Sequence, residues 1–514
     1  MLKLFKRWSI VIFLMLILIE YVFFFSWENL FGCFVMLYGW IIISCFILRQ
    51  SVLVRHPAIF LVSLGLGVFY YYFPLIGTLL AFRPLTYQFH FPYEVFVHQL
   101  IYVTVYVLAF LLYFKSNFRP KIFRQVLKRF KVYHTPTDLQ LWIMGWLGVV
   151  VFLYMKIVVG ISQMDAESVS PLVKFLTPII QFVYAPILLQ FKGLYSVKAK
   201  KRQSSNPLIY VYIIGLVTMS FLANDRQFMV SSILLLILLY LFDAVLRCQT
   251  IKKAFPFKRI LLFTLLAFVI AGPITKMATA MLMVRNIRNE ISAIELFKTT
   301  IDAYNSPEID EKMEIIEAVQ RNNFEWSEDY TGNVLFDRLC NLRIADMTIY
   351  FTQMADMETT QALQDVRDKL IAQLPSPILH RLGFNIDKID SHVTYTVSSI
   401  ARVQSTGYGS GGKSVAAHTG TGMWLFGSWY PLFFIIIYFF LFFIIDSFVI
   451  KVGYKYRYSV LFLINIYFFF TFLNFKNGII SDLLFMFRPY IQMCFIYVLI
   501  FYLTRLVSGL IRKT

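Results

Sequence analysis

Pro431-Leu-Phe-Phe-Ile-Ile-Ile-Tyr-Phe-Phe-Leu-Phe-Phe-Ile-Ile445 runs for fifteen residues without a charge. It is the centre of an apolar segment, 422–450, long enough to cross a bilayer, which takes about 20 residues of helix. A helix on the surface of a soluble domain is apolar along one stripe only. Eleven further segments share this character: 9–25, 29–48, 57–82, 92–114, 139–160, 171–191, 207–223, 227–246, 260–284, 459–475 and 487–510. The expectation is an all-α polytopic integral membrane protein with about twelve transmembrane helices. Composition agrees. Of 514 residues, 59% are hydrophobic and 15% charged, with a mean hydropathy of +0.67, whereas soluble domains are about 45–50% apolar. Lipid-facing and interfacial positions accommodate the 54 Phe and 31 Tyr.

Charge sets the expected orientation. The connections 49–56, 115–138, 192–206, 247–259 and 451–458 carry the basic clusters. Lys115, Arg119, Lys121, Arg124, Lys128, Arg129 and Lys131 share one of them, and 198–202 reads Lys-Ala-Lys-Lys-Arg. The intervening connections are short or acidic, as in Ser26-Trp-Glu-Asn and Ser162-Gln-Met-Asp-Ala-Glu. Cytoplasmic loops are the ones enriched in Lys and Arg, so both termini are expected inside. The net charge of +19 is spread over these tracts, which is no nucleic-acid footprint. The opening Lys3, Lys6, Arg7 and the apolar run to Phe25 lack a small-x-small cleavage site and read as an uncleaved first span. Of five cysteines, only Cys340 falls outside the apolar runs and basic loops. Neither a disulfide framework nor a metal-ligand spacing is present, and no metal or cofactor is expected.

The chain divides into a membrane domain, 1–284, an extracytoplasmic loop domain, 285–421, and a second membrane part, 422–514. The loop holds 13 Lys/Arg against 19 Asp/Glu, a local balance of −6. A loop that long in a compact protein is expected to fold. In 335–354, Leu335, Phe336, Leu339, Leu342, Ala345 and Ile349 recur at helical steps, and 290–304, 308–319 and 361–374 look similar. His392-Val-Thr-Tyr-Thr-Val is extended in character, and 405–422 is rich in Gly, Ser and Thr.

Several residues have the chemistry of a site. Gly407-Tyr-Gly-Ser-Gly-Gly-Lys413-Ser414 satisfies the phosphate-loop pattern, but no βαβ context surrounds it. What remains is a run of Gly amides able to cradle an anion, with Lys413 adding charge. Arg226, in Asn224-Asp-Arg-Gln227 between two apolar runs, sits at a hairpin tip on the outer boundary. A guanidinium there is either a phosphate fork or an interfacial anchor paired with Asp225. Arg488 precedes the last span, with Asp482 as candidate partner. Arg338, Arg343 and Arg402 belong to the loop, where salt bridges with its acids are the simpler role. A transfer to a hydroxyl needs a base, and His418, just before the tenth span, is the histidine placed at the membrane surface.

Two stretches carry a resemblance. Asp225-Arg226 followed by Gln-Phe-Met-Val-Ser-Ser-Ile-Leu-Leu-Leu, and Ala417-His-Thr-Gly-Thr-Gly-Met-Trp-Leu-Phe-Gly-Ser-Trp-Tyr-Pro-Leu432, are similar to segments of bacterial Wzy-type O-antigen and exopolysaccharide polymerases and the related O-antigen ligases. In ligases the second segment begins His-Asn. Here Thr419 follows His418, which tilts the resemblance toward the polymerases. The resemblance implies a GT-C-like membrane fold in the bacterial cytoplasmic membrane. It implies no metal, and a donor glycan on undecaprenyl pyrophosphate. It assigns Arg226 and Arg402 to the pyrophosphate, with Arg343 and Arg488 as second choices, and His418 as base. The implied partners are lipid-linked oligosaccharides, the bilayer, a chain-length regulator and a flippase. A flippase or other transporter is the rival reading, although no repeated halves are visible. Oligosaccharyl- or mannosyl-type transferases carry a long first outer loop with paired acids, where this chain has only Ser26-Trp-Glu28-Asn.

Overall fold

The computed structural model describes, in the main, residues 2–158, 171–196, 207–247, 275–284, 293–306, 330–384 and 415–511, apart from a few positions within them such as 117, 224, 355–358 and 475–477. Apolar stretches dictate helices because each helix satisfies its own backbone where lipid offers no partner. They are α1 (Leu2–Phe23), α2 (Trp27–Phe46), α3 (Pro57–Leu80), α4 (Pro92–Lys115) and α5 (Lys121–Arg129). There follow α6 (Asp138–Lys156), α7 (Leu172–Tyr195), α8 (Pro207–Leu222), α9 (Arg226–Leu246) and α10 (Thr275–Met283). In the loop lie α11 (Ala293–Asn305), α12 (Leu342–Met354) and α13 (Thr359–Ile371). The last are α14 (His418–Phe426), α15 (Tyr430–Ile445), α16 (Gly478–Phe487) and α17 (Pro489–Ile511).

Among the described residues, eight helical stretches are long and apolar enough to cross a membrane. This is a multi-pass membrane protein. The expected count of twelve also drew on four other segments. One is α1, which carries Lys3, Lys6, Arg7 and Glu20. The second, α8, is shorter than a full span, and of the third, 260–284, essentially only α10 is described. The fourth, 459–475, is not a continuous helix. It breaks at Asn465 into Val460–Ile464 and Ile466–Phe470, with Asn465 Nδ2 bonding the Leu461 carbonyl at 2.9 Å.

Some helices depart from regular geometry for visible reasons. In α3, Gly67–Tyr72 widens into a π turn, which bulges the helix at Tyr70. The stretch Thr177–Phe191 of α7 is 3₁₀, with Pro178 at its start and Pro186 inside it. It packs on α6 through Gly145 and Gly148, where a Cβ would stand 2.3 Å from Pro186 Cγ and 2.5 Å from Val183 N. Small residues allow this closeness. α16 and α17 are one helix kinked at Pro489. Arg488 N still bonds Leu484 O and Gln492 N still bonds Arg488 O, so the ladder continues past the residue with no N–H.

At the basic end, 449–458 forms an antiparallel hairpin, β1 (Val449–Val452) with β2 (Lys455–Tyr458), Val449 opposite Tyr458. The sequence reading contained no strand there. Just before it, Asp446 is 1% exposed. Its Oδ1 meets His56 Nδ1 at 2.6 Å, and its Oδ2 accepts from Tyr113 Oη (2.7 Å) and Arg124 Nη2 (2.9 Å). Removing one member of such a set strands buried charge, at a cost of about 3–5 kcal/mol. Asp446→Ala is expected to lower the thermal midpoint of the purified protein by far more than Lys455→Ala on the exposed hairpin. Scanning fluorimetry in detergent reads the difference.

Candidate functional site

The apolar run 418–448 does not descend as a single helix. Gly427 adopts φ +53°, a conformation glycine tolerates, and the chain folds back there. Phe426 stacks on Phe433 with centroids 4.4 Å apart. A Cβ on Gly422 would lie 2.4 Å from Phe434 Cζ. α14 and α15 are therefore a helical hairpin with its tip toward the loop end, and His418 is carried to the deep end of α14.

Depth follows from the neighbours. The His418 ring stacks on Tyr102 (5.4 Å, 18°) and meets Tyr70 edge-on (6.5 Å). Tyr102 and Tyr70 lie near the middles of α4 and α3. The sequence puts His418 at the bilayer surface; the structure puts it at mid-depth, 2% exposed. Tyr102 Oη hydrogen-bonds Tyr438 Oη at 2.9 Å, and Tyr106 Oη pairs with Ser63 Oγ at 2.9 Å. This tyrosine ladder fixes α4 against α15.

His418 Nε2 lies 3.1 Å from Asp482 Oδ2. Nε2 is thus the ring nitrogen turned to the carboxyl group, and Nδ1 is the one turned away from it. Nδ1 of His418, Oδ1 of Asp482, Oγ1 of Thr419 and Nε1 of Trp424 are buried with no hydrogen-bond partner among the described residues. Each such atom costs about 1–3 kcal/mol. Other such atoms are spread through the bundle, on Glu20, Gln99 and Asn341 among others, but these four share one hairpin and the helix beside it, where another polar group could pair with them. Asp482 was a candidate partner for Arg488. Six residues apart on a helix, the two face different ways, and Asp482 is held by the histidine.

The loop is docked into the bundle beside this pair. Asn341 N bonds Phe69 O at 3.0 Å, and Ala417 N bonds Thr348 Oγ1 at 2.9 Å. On α12, Asp346 Oδ1 accepts from His90 N and Phe91 N, both at 3.0 Å, just ahead of α4. Its Oδ2 pairs with Arg343 Nη1 at 3.0 Å, and that guanidinium also donates to Gln88 O. Burial pushes the Asp346 carboxyl above its ordinary range, and the Phe91 amide and Arg343 pull it back. The connection 81–91 is tied from the other side by Glu20 Oε1 to Leu85 N (2.7 Å) and Asn29 Oδ1 to Thr86 N (3.1 Å).

The remaining sequence candidates are dispersed. Arg343 is buried and spent on the contacts above. Arg226 opens α9 behind the N-cap Asp225, which accepts from Phe228 N at 3.0 Å. Asp225 also pairs with Lys156, at 2.9 Å, and the Arg226 side chain, with its expected pairing to Asp225, lies outside the described residues. From Arg226 the packing runs through α9 to Ile466–Phe470, from Phe468 to Phe485 of α16 (5.7 Å), and so to Asp482. Arg488 stands half-buried at the kink, well inside the last helix and not at its outer start. Arg402, Lys413, the extended stretch from His392 and the Gly-rich 407–414 lie outside the described residues. Among the described residues no group of three His, Cys, Asp or Glu is placed to hold a metal ion. Sequence reasoning missed Tyr70, Tyr102 and Asp482 as companions of His418, since nothing local links residues that far apart. It also missed an open cavity of about 350 Å³ at the loop end, lined by Gly77, Arg83, Thr331, Asn333 and Phe336.

Fold and site together define a helical multi-pass membrane protein with an ionisable pair enclosed at mid-depth. No family model, curated protein or solved structure matches the chain.

Gly478 tests how the pair is held. Its φ is +58°, and a Cβ there would stand 2.2 Å from Thr421 Oγ1 and 2.9 Å from Ala417 O. Strain and overpacking at such a point cost about 2–4 kcal/mol. Gly478→Ala is expected to lower the thermal midpoint clearly, while Gly509→Ala, with nothing within 4 Å, leaves it in place.

Proposed function

We propose that the chain joins lipid-pyrophosphate-linked oligosaccharide units at the outer face of a bacterial cytoplasmic membrane, as the resemblance to Wzy-type polymerases implies. The observation that carries this reading is the His418–Asp482 pair. The Asp482 carboxyl group orients the ring and leaves Nδ1 without a protein acceptor or donor among the described residues. That is what a general base for a sugar hydroxyl requires.

In the proposed step the acceptor hydroxyl attacks the anomeric carbon of the donor. A glycosidic bond forms, the bond from that carbon to the pyrophosphate oxygen breaks, and the hydroxyl proton passes to His418 Nδ1. Asp482 steadies the imidazolium. Arg226, with Arg402 and Lys413, supplies cations for the departing pyrophosphate, while Arg488 is left out because its neighbour Tyr490 meets Ser447 at the basic end. Arg343 is left out of this set, because its guanidinium is occupied by Asp346 and Gln88. His418 is enclosed here, so the acceptor enters by displacing part of the α14–α15 hairpin or of the loop above it. The donor's lipid carrier stays in the bilayer.

A transporter is the second reading, and one observation favours it. Ionisable side chains at mid-depth on folded-back or broken helices are a hallmark of coupled transport.

Purified protein given undecaprenyl-pyrophosphate-linked repeat units, with products resolved by repeat number, separates the two. The native chain is expected to yield a ladder. Loss of a positioned base costs about 10²–10⁴-fold, so His418→Gln is expected to leave essentially the input unit while the variant protein remains folded. A native chain that makes no ladder, but moves labelled units across a vesicle membrane, would favour transport and remove the roles given to His418 and Arg226.

A further inference from the structure

Helix α5 presents three different arcs at about 100° per residue. The first, Arg124 and Leu127, turns into the fold. Leu127 is buried, and Arg124 Nη2 donates both to Asp446 Oδ2 and to its carbonyl, each at 2.9 Å. The second arc is Lys121, Gln125, Lys128 and Arg129. All four are exposed, and the three cations make no ion pair with a described residue. The third is Ile122, Val126 and Phe130, with Phe123 beside it. These apolar side chains are exposed too, Ile122 by 75% and Phe130 by 52%. Phe118, just before the helix, is also exposed.

Arg124 and Leu127 fix the helix about its axis, so the apolar arc cannot turn inward. The arc lies where α4 ends at Lys115 and α15 ends at Ile445, the level at which the membrane helices give way to the basic end. A helix with an uncovered apolar arc beside a cationic one, set at that level, matches a segment lying in the membrane interface. Residues 115–134 contain no Asp or Glu, so the complement of the cationic arc is an anion.

We propose that α5 seats its apolar arc among acyl chains and binds anionic phospholipid headgroups through Lys121, Lys128 and Arg129. Zwitterionic headgroups carry no net charge for these cations to meet. The binding site is independent of whether the protein polymerises or transports. Through Arg124 and Asp446 it reaches the end of α15, the helix whose other end forms the His418 hairpin.

The test uses the full chain in detergent, titrated separately with dioleoyl phosphatidylglycerol and dioleoyl phosphatidylcholine and read by native mass spectrometry. Preferential retention of phosphatidylglycerol is expected. Near a membrane surface each basic residue contributes about 1 kcal/mol, so the triple variant Lys121→Gln, Lys128→Gln, Arg129→Gln is expected to lose roughly a hundredfold in affinity. The pair Lys451→Gln, Lys455→Gln on the β hairpin is expected to keep native affinity. Should the triple variant not purify, Lys128→Gln with Arg129→Gln changes only two exposed side chains and is expected to lose about thirtyfold. Equal retention of the two lipids by the native chain overturns the proposal, as does undiminished phosphatidylglycerol binding by the variants. Either result would leave the face to a soluble acidic partner.

Discussion

Three glycines decide whether α14 can stand where it does. Lipid tails are as apolar as leucine, so helices in a bilayer gain little by hiding apolar surface from it. They hold together by close contact and by hydrogen bonds between them. α14 is enclosed by α12, α15, α16 and α4. On its own surface Gly420 meets Thr348 and Ile349, and Gly422 meets the Phe434 ring; on α16, Gly478 meets Thr421. With side chains at these points the hairpin would be pushed out of the bundle, and His418 would lose Asp482 and Tyr102 together.

Around this centre the bundle is secured differently at its two ends. At the basic end one carboxylate, Asp446, gathers His56, Tyr113 and Arg124. At the loop end the contacts are spread. Glu20, Asn29 and Asp346 each accept backbone N–H groups from the short connection 81–91. Buried pairs of this kind contribute more to a single arrangement than to net stability. They fix α4 at both ends, and the tyrosine ladder between them fixes its register against α15. Part of the interior cost is borne on the hairpin and α16, where His418, Thr419, Trp424 and Asp482 each hold an atom without a partner among the described residues.

Much of this was legible in the sequence. Long uncharged runs can do little other than form membrane helices, and the described parts of the basic connections meet at one end, around Arg124, His56 and the β hairpin. His418 stood out because it heads the segment leaving the loop. What was not legible has specific causes. Hydropathy is blind to direction, so the reversal at Gly427 disappears inside an apolar run. It is equally blind to breaks, which hides the split at Asn465. The last helix begins at Gly478, not near 487, because Arg488 and Pro489 look like a boundary and act as a kink. Asp482 was assigned to its sequence neighbour Arg488, whereas its partner lies 64 positions away. The stripe 335–354 read as one helix, yet the chain turns near Cys340 and only Leu342–Met354 continues as α12. Its depth came from pairing with Phe69, which no local pattern encodes.

The π turn in α3 gives the two halves of one helix separate duties. Below it, Gly65 lies against the backbone of Phe470; above it, Gly77 lies against Thr331 and Cys340 of the loop. A wide turn holds one residue more than an ordinary one, and each residue is worth about 100° of rotation. The face offered to the loop is thus set by a single added position, independently of the face offered to the membrane helices. A chain shortened by one residue between Gly67 and Tyr72 would still thread the bilayer, but its outer half would greet the loop with the wrong side.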